Sequence, residues 1–228
     1  MKRIIDCICI FFLTSQIVTA QQLPYATTGT INGHEWVDLC LSVKWATCNV
    51  GASSPEENGD YFAWGETSTK NDYSWSTLKY CTGHYFSKYV PSWLGGYWSG
   101  DGRPDDRERL ALSDDAARAN WGGSWRMPTA EEWEELLNKC TWTWTTRDGK
   151  NGYEVVSKIN GNSIFLPAAG GRSDTGLYFV DYFGYYWSSS LCTANPGSAW
   201  RVFFYSGNVR RFIYGRHFGH SVRPVSAF

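Results

Sequence analysis

Three dipeptides in the middle of the chain, Asp148-Gly149, Asn151-Gly152 and Asn160-Gly161, limit what can form around them. Asn or Asp followed by Gly favours the positive-φ turns that join antiparallel strands. Thr141-Trp142-Thr143-Trp144-Thr145 alternates with the period of a strand. Residues 153–157, 163–166, 185–189, 199–205, 209–214 and 221–225 read as further strands. Only two helices are expected. One starts at a Ser113 cap and runs through Asn120, with Asp114 and Asp115 near its positive end. The other follows Thr129, where Glu132 completes a capping box. Trp133, Leu136 and Leu137 give it one apolar face, and it stops near Lys139. The predicted class is α+β, with two short helices, a small twisted antiparallel sheet and long loops.

Composition narrows the function classes. Among 228 residues there are 13 Trp, 14 Tyr and 12 Phe, which a disordered chain would lack. The formal net charge of −1 supplies no global basic field for nucleic acid. Residues 1–20 read as a signal peptide: Lys2 and Arg3, an apolar run, then Val18-Thr19-Ala20. This predicts an extracytoplasmic protein, secreted, periplasmic or at the cell surface, that meets the membrane only during export. Residues 21–31 read as a short leader and 32–228 as one domain. Within it, 65–112 forms a long surface excursion with apolar anchors. Cys40, Cys48, Cys81, Cys140 and Cys192 remain after residue 20. Their number is odd, and their pairing is not legible.

No motif assembles a catalytic or metal centre. His34-Glu35 begins like a metalloprotease helix, but Asp38 stands where the second His belongs. His217 and His220 read as polar residues of a strand and turn. Ser188-Ser189-Ser190 lacks the glycines of a nucleophile elbow. Asp105, Asp106, Asp114 and Asp115 do not follow calcium-loop spacing. No cofactor, metal or catalytic residue is therefore expected, and the chain is predicted not to be an enzyme.

The C-terminus differs from the rest. From Gly184 to Phe228 there are five Arg and no acid. Residues 201–228 contain no Lys, Glu, Gln, Asp, Met or Trp. Alternation puts Trp200, Val202 and Phe204 on one face of a strand and Arg201, Phe203 and Tyr205 on the other. The next strand puts Arg210, Phe212 and Tyr214 on one face, with Arg211 and Ile213 opposite. His217 and Phe218 follow in a loop. The apolar set reads as core and the arginine–aromatic set as a binding surface. A second reading has Phe203, Tyr205 and Phe212 filling the core.

Several segments together resemble the Fibrobacter succinogenes major paralogous domain, a family common in gut Bacteroidetes. They are Trp36-Val37-Asp38-Leu39, Leu41 to Gly51, Gly59 to Glu66, Asp114-Asp115-Ala116-Ala117, Asn120-Trp121-Gly122-Gly123, Trp125-Arg126-Met127-Pro128-Thr129, Glu132-Trp133 and Gly219 to Val225. The likeness runs from about Asn32 to Val225. Cys40 replaces a glycine usual in that family. The resemblance implies a C-type-lectin-like fold of the formylglycine-generating-enzyme branch. The calcium-lectin motifs Glu-Pro-Asn and Trp-Asn-Asp are missing, and only Cys192 lies near the C-terminal end, so neither calcium-dependent sugar binding nor oxidase activity is implied.

The cassette from Tyr186 to Val225 further resembles the variable region of proteins rewritten by diversity-generating retroelements. Adenine mutagenesis of an AAC codon cannot produce Lys, Glu, Gln, Met or Trp, and 201–228 lacks all five. The resemblance implies a ligand-binding module. Its expected contact residues are Cys192, Ala194, Ser198, Arg201, Phe203, Tyr205, Arg210, Arg211, Phe212, Tyr214, His217 and Phe218. Trp200, Val202, Phe204, Gly219 and Val222 would be the fixed scaffold. The ligand would be a protein or glycan on a cell, phage or host surface. Two alternatives stay open. One is an oxidase or other enzyme on the same fold, which would need a reactive Cys192 thiol. The other is a structural component of a surface or fimbrial assembly.

Overall fold

A computed structural model describes residues 29–83, 85–98 and 104–227. The expected signal peptide and residues 21–28 of the expected leader lie outside the described residues. The last three leader residues belong to the fold, as strand β1 (Gly29–Ile31). β1 pairs with β2 (His34–Val37), β2 with β3 (Lys44–Ala46), and β3 with β14 (Val225–Ser226), so both ends of the described chain share one antiparallel sheet. A short hairpin, β4 (Cys81–Thr82) and β5 (Tyr85–Phe86), lies in the excursion. Strands β6 (Cys140–Arg147), β7 (Lys150–Ser157) and β8 (Ser163–Pro167) form a second sheet. β9 (Gly171–Ser173) and β10 (Gly176–Tyr178) form a hairpin. β11 (Gly184–Leu191), β12 (Ser198–Tyr205) and β13 (Asn208–Gly215) make a third antiparallel sheet. With two α-helices among the described residues, the architecture is α+β, dominated by small antiparallel sheets.

The turn chemistry explains part of this layout. Asp148 and Gly149 both have positive φ, 44° and 76°, and join β6 to β7 in a two-residue loop. Gly161 does the same work after β7, at φ 77°. Asn151-Gly152 is a different case, because it lies inside β7, with Asn151 opposite Thr146. A Cβ on Gly152 would sit 2.4 Å from the Leu166 carbonyl oxygen. The glycine there serves close packing of β8, not a turn.

Helix α1 (Ala116–Trp121) is capped by Asp115, whose carboxylate accepts from the Arg118 N–H. Ser113, the expected cap, lies one turn earlier in a 3-10 segment, Leu112–Asp114. Helix α2 (Ala130–Lys139) has the predicted capping box at Thr129 and Glu132. Its Trp133 and Leu136 enter a core built from Val37, Trp45, Tyr153, Val155, Ile164, Leu166, Tyr186, Val202 and Phe204.

Buried tryptophans seal the irregular segments. Each offers a large ring and one N–H, and a carbonyl left over by a bend can take that N–H. Trp64 donates to Ser188, Trp125 to Ile31, Trp133 to Trp187, and Trp187 to Phe62. The Ser188-Ser189-Ser190 stretch interrupts the β11–β12 register. It is held by Leu110, Ala130 and Pro128. The excursion at 65–112 buries Tyr73, Leu78, Phe86 and Val90 against Tyr61 and Ala63, as apolar anchors should. Residues 221–225, expected as one strand, leave only Val225 within β14. The preceding residues bridge to separate partners, and Arg223 donates to Asn49, Ala46, Thr47 and Phe165.

Candidate ligand-binding face

The register of β11, β12 and β13 decides which side chains share a face. Arg201 lies opposite Phe212 on one side and Trp187 on the other, and Phe203 lies opposite Arg210 and Tyr185. This face carries Tyr185, Arg201, Phe203, Tyr205, Arg210, Phe212 and Tyr214 together. The reverse face carries Val202 and Phe204, both fully buried beneath α2 and the second sheet. The alternation read from the sequence holds for Val202 and Phe204, whereas Trp200, expected with them as core, is only half-buried, with the Arg211 guanidinium 5.3 Å from its ring centroid.

The face is buried at one end and open at the other. Ala199 and Trp187 are covered completely, whereas Tyr205 and Phe212 are about 40% exposed, at 39% and 43%. At the open end the rings run together. Tyr185 stacks on Phe203 at 5.4 Å between centroids, Phe183 lies 5.6 Å from Phe203 and 5.9 Å from Tyr205, and Phe179 lies 5.0 Å from Phe183. The Arg210 guanidinium sits 5.6 Å from the Phe203 centroid and 5.1 Å from that of Phe212. Tyr178 and Phe179 extend this surface and are exposed.

Where the face passes from open to buried there is a pocket of about 70 Å³. Arg201, Tyr185, Tyr214, Phe218 and His220 line it, with Gly171, Arg172, Ser173, Tyr178 and Phe179 from the β9–β10 side. Paired hydrogen bonds between Arg172 and Gly219 hold that hairpin against the 216–220 loop. His220 is fully buried, and burial first, then the nearby Arg201 charge, holds its pKa well below 6.5. Its Nδ1 lies 3.0 Å from the Gly219 carbonyl, which can only accept. Nδ1 therefore carries the proton, and Nε2 accepts from Arg201 Nη1 at 2.7 Å. Burial pulls the Arg201 pKa down from 12.5 to about 10, so the group remains a cation at neutral pH.

The structure divides the twelve expected contact residues. Arg201, Tyr214 and Phe218 meet at the pocket, and Phe203, Tyr205, Arg210 and Phe212 form the open surface. His217 packs edge-on to Trp75 beside Phe218, just outside the pocket. Arg211 does not join them. It points to the opposite face, pairs with Glu134 at 2.7 Å and donates to the Ala130 carbonyl. Cys192, Ala194 and Ser198 are also separate. They occupy the turn before β12 and its first residue, a strand length of roughly 24 Å from Tyr205. Cys192 is buried there. All five cysteines of the described chain are free.

Sequence reasoning missed Tyr185, His220, Arg172 and the 178–183 aromatics. The last were signalled by the run Tyr178-Phe179-Val180-Asp181-Tyr182-Phe183, which is apolar without strand alternation. Phe179 takes φ 61° and Asp181 φ 64°, a left-handed conformation costly for a bulky residue. The turn they build holds Phe179 outward at 56% exposure. Asp114 and Asp115, weighed as calcium ligands, are both committed. Asp114 accepts from Tyr80, Tyr89 and Lys88, and Asp115 caps α1.

Comparison with family models, curated proteins and solved structures returns no match for this chain.

Proposed function

We propose that the protein is an extracytoplasmic ligand-binding module, not an enzyme, with a C-type-lectin-like fold and a binding face on β11–β13. One observation carries the reading. A single strand buries Val202 and Phe204 completely while its alternate residues, with their β13 neighbours, leave Phe203, Tyr205, Phe212 and Arg210 as an open arginine–aromatic surface. Folding alone gives no reason to expose such rings, whereas rings and arginines are the side chains that dominate binding hot spots. The fold proposal rests on the resemblance to the major paralogous domain, supported by two helices, small sheets and long loops. Retroelement diversification is consistent with part of this division, since its fixed positions Val202 and Phe204 are core and its variable positions Arg201, Phe203, Tyr205, Arg210, Phe212 and Tyr214 share the face.

The test is the triple variant Phe203→Ser, Tyr205→Ser, Phe212→Ser. Labelled protein is screened against glycan panels, bacterial cells and phage. Loss of every interaction found for the parent, with melting temperature kept within a few degrees, is the expected result. Retained binding, or a collapse of melting temperature that marks the rings as core, would refute the reading. The neighbouring DNA tests the diversification separately, because a retroelement requires a template repeat of the 186–225 coding region and a reverse transcriptase.

A further inference from the structure

Arg201 is a cation enclosed in the face without an acid to balance it. Its side chain is 94% buried by area, at 6% exposure. Among the described residues no carboxylate lies within ion-pair distance of it, although Arg126, Arg147 and Arg211 each have a glutamate. Its Nε is buried with no hydrogen-bond partner, and Nη1 is taken by a neutral imidazole that adds no negative charge. Tyr185 and Tyr214 flank the guanidinium, at 4.4 and 3.8 Å from Cζ to the ring centroids. Arg223, also buried, meets oxygen acceptors at all three of its nitrogens. Arg216 is buried without an acid among the described residues too, with Nε and Nη2 unpartnered, but it packs against Trp64, Phe86 and Tyr89, whereas Arg201 lines the pocket of the face.

We propose that the Arg201 pocket takes a carboxylate of a protein ligand, from a chain end or an acidic side chain. The inference rests on the face being a ligand surface and names the chemistry at its centre. An uncompensated buried cation is costly until a counter-charge arrives, and a guanidinium is shaped to meet a carboxylate. The pocket holds about 70 Å³, far below the roughly 300 Å³ at which sites begin to enclose whole small ligands. It therefore accepts one functional group of a ligand that lies across the rings outside. The enclosed Arg201 guanidinium presents a planar edge that matches a flat carboxylate, and Arg172 adds a second cation on the β9–β10 side of the lining, so phosphate is the competing probe in the test. The bordering Tyr, Phe and Arg side chains have the make-up of the buried centre of protein–protein interfaces, which favours a protein over an acidic sugar.

The experiment follows the arginine Nε–H signals of the folded full chain by NMR. N-acetylglycinate, N-acetylglycinamide, glucuronate and inorganic phosphate are added at millimolar concentrations. The expected result is a saturable shift of the Arg201 signal with N-acetylglycinate alone. In Arg201→Lys, checked for an unchanged melting temperature, binding of N-acetylglycinate followed by the backbone amide signals of Gly219 and His220 should be about tenfold weaker than in the parent followed in the same way, because the fork is lost while the charge stays. No Arg201 response to N-acetylglycinate, or an equal response to the neutral amide, overturns the proposal. Tighter binding of phosphate or glucuronate overturns the carboxylate or the protein assignment respectively. The triple ring variant keeps the two readings apart. If it loses partner capture while the parent's Arg201 ignores carboxylate, the face reading stands and the pocket inference falls. If Arg201 binds carboxylate while the triple variant still captures partners, the pocket stands and the face reading falls.

Discussion

Replacing Arg201 by Met should cost the protein little or no stability, although it removes the centre of the pocket. Burial lowers the guanidinium pKa from 12.5 to about 10, and the two flanking tyrosines oppose that fall only in part. At ~1.36 kcal/mol for each pH unit, the folded protein disfavours the charged form by about 3 kcal/mol relative to water. The variant leaves His220 Nε2 buried without a donor, at a cost of about 1–3 kcal/mol. It also loses the contacts of the cation with Tyr185 and Tyr214, worth about 0.5–1 kcal/mol. Met keeps an unbranched, adaptable side chain in the same space and has no charge to desolvate. The balance lies between a loss of about 1 kcal/mol and a gain of about 1.5 kcal/mol, so Tm should fall by no more than about 4 °C and rise by no more than about 6 °C for a chain of this size. Thermal and urea unfolding, followed by tryptophan fluorescence, measure it. A loss of more than about 1 kcal/mol would show that the cation is a structural strut and that the argument from uncompensated charge is wrong.

Other outcomes follow from single contacts. Cys40 has φ 54°, the left-handed conformation that a glycine would adopt freely, so Cys40→Gly should stabilise by about 0.5–1 kcal/mol in urea unfolding under reducing conditions. Thr129→Ala removes the α2 cap and should cost about 1 kcal/mol by the same measurement. Arg211→Ala should leave partner binding unchanged and lower stability by no more than about 1 kcal/mol, because the residue faces Glu134 on α2. His220 stays neutral when folded but takes a proton near 6.5 when unfolded. The unfolded state then binds more protons, so stability is full above 6.5 and is lost as pH falls, at up to ~1.36 kcal/mol per pH unit. His220→Gln should flatten this slope in a pH series of urea melts, leaving a remainder from His34 and His217, whose pKa values burial also lowers.

The legible features were those whose cause is local. The Thr129–Glu132 capping box, the Asp148-Gly149 turn and the 202–205 alternation each depend on residues within a few positions, and all three stand in the structure. Asn151-Gly152 carries the same local signal as a turn, yet it lies in mid-strand because Leu166 and Phe165 crowd its α-carbon. Alternation alone set Arg211 on the face opposite Phe212, and the structure keeps it there, paired with Glu134 on α2. The enclosure of Arg201 beside His220 had no such local signal.

By itself the sequence determined the α+β class, the core face of β12 and the residue types available to meet a ligand. It also placed an acid-free, arginine-bearing segment at the C-terminus. Tertiary structure alone decided which of those residues share a site. The β9–β10 hairpin closes over Arg201 through the Arg172–Gly219 hydrogen bonds, and the 178–183 turn adds rings that no periodicity marks. Alternation fixes a side chain's direction within a strand, because it follows from the bonded backbone. Enclosure of a charge depends on segments distant along the chain, and so does the absence of any acid beside it.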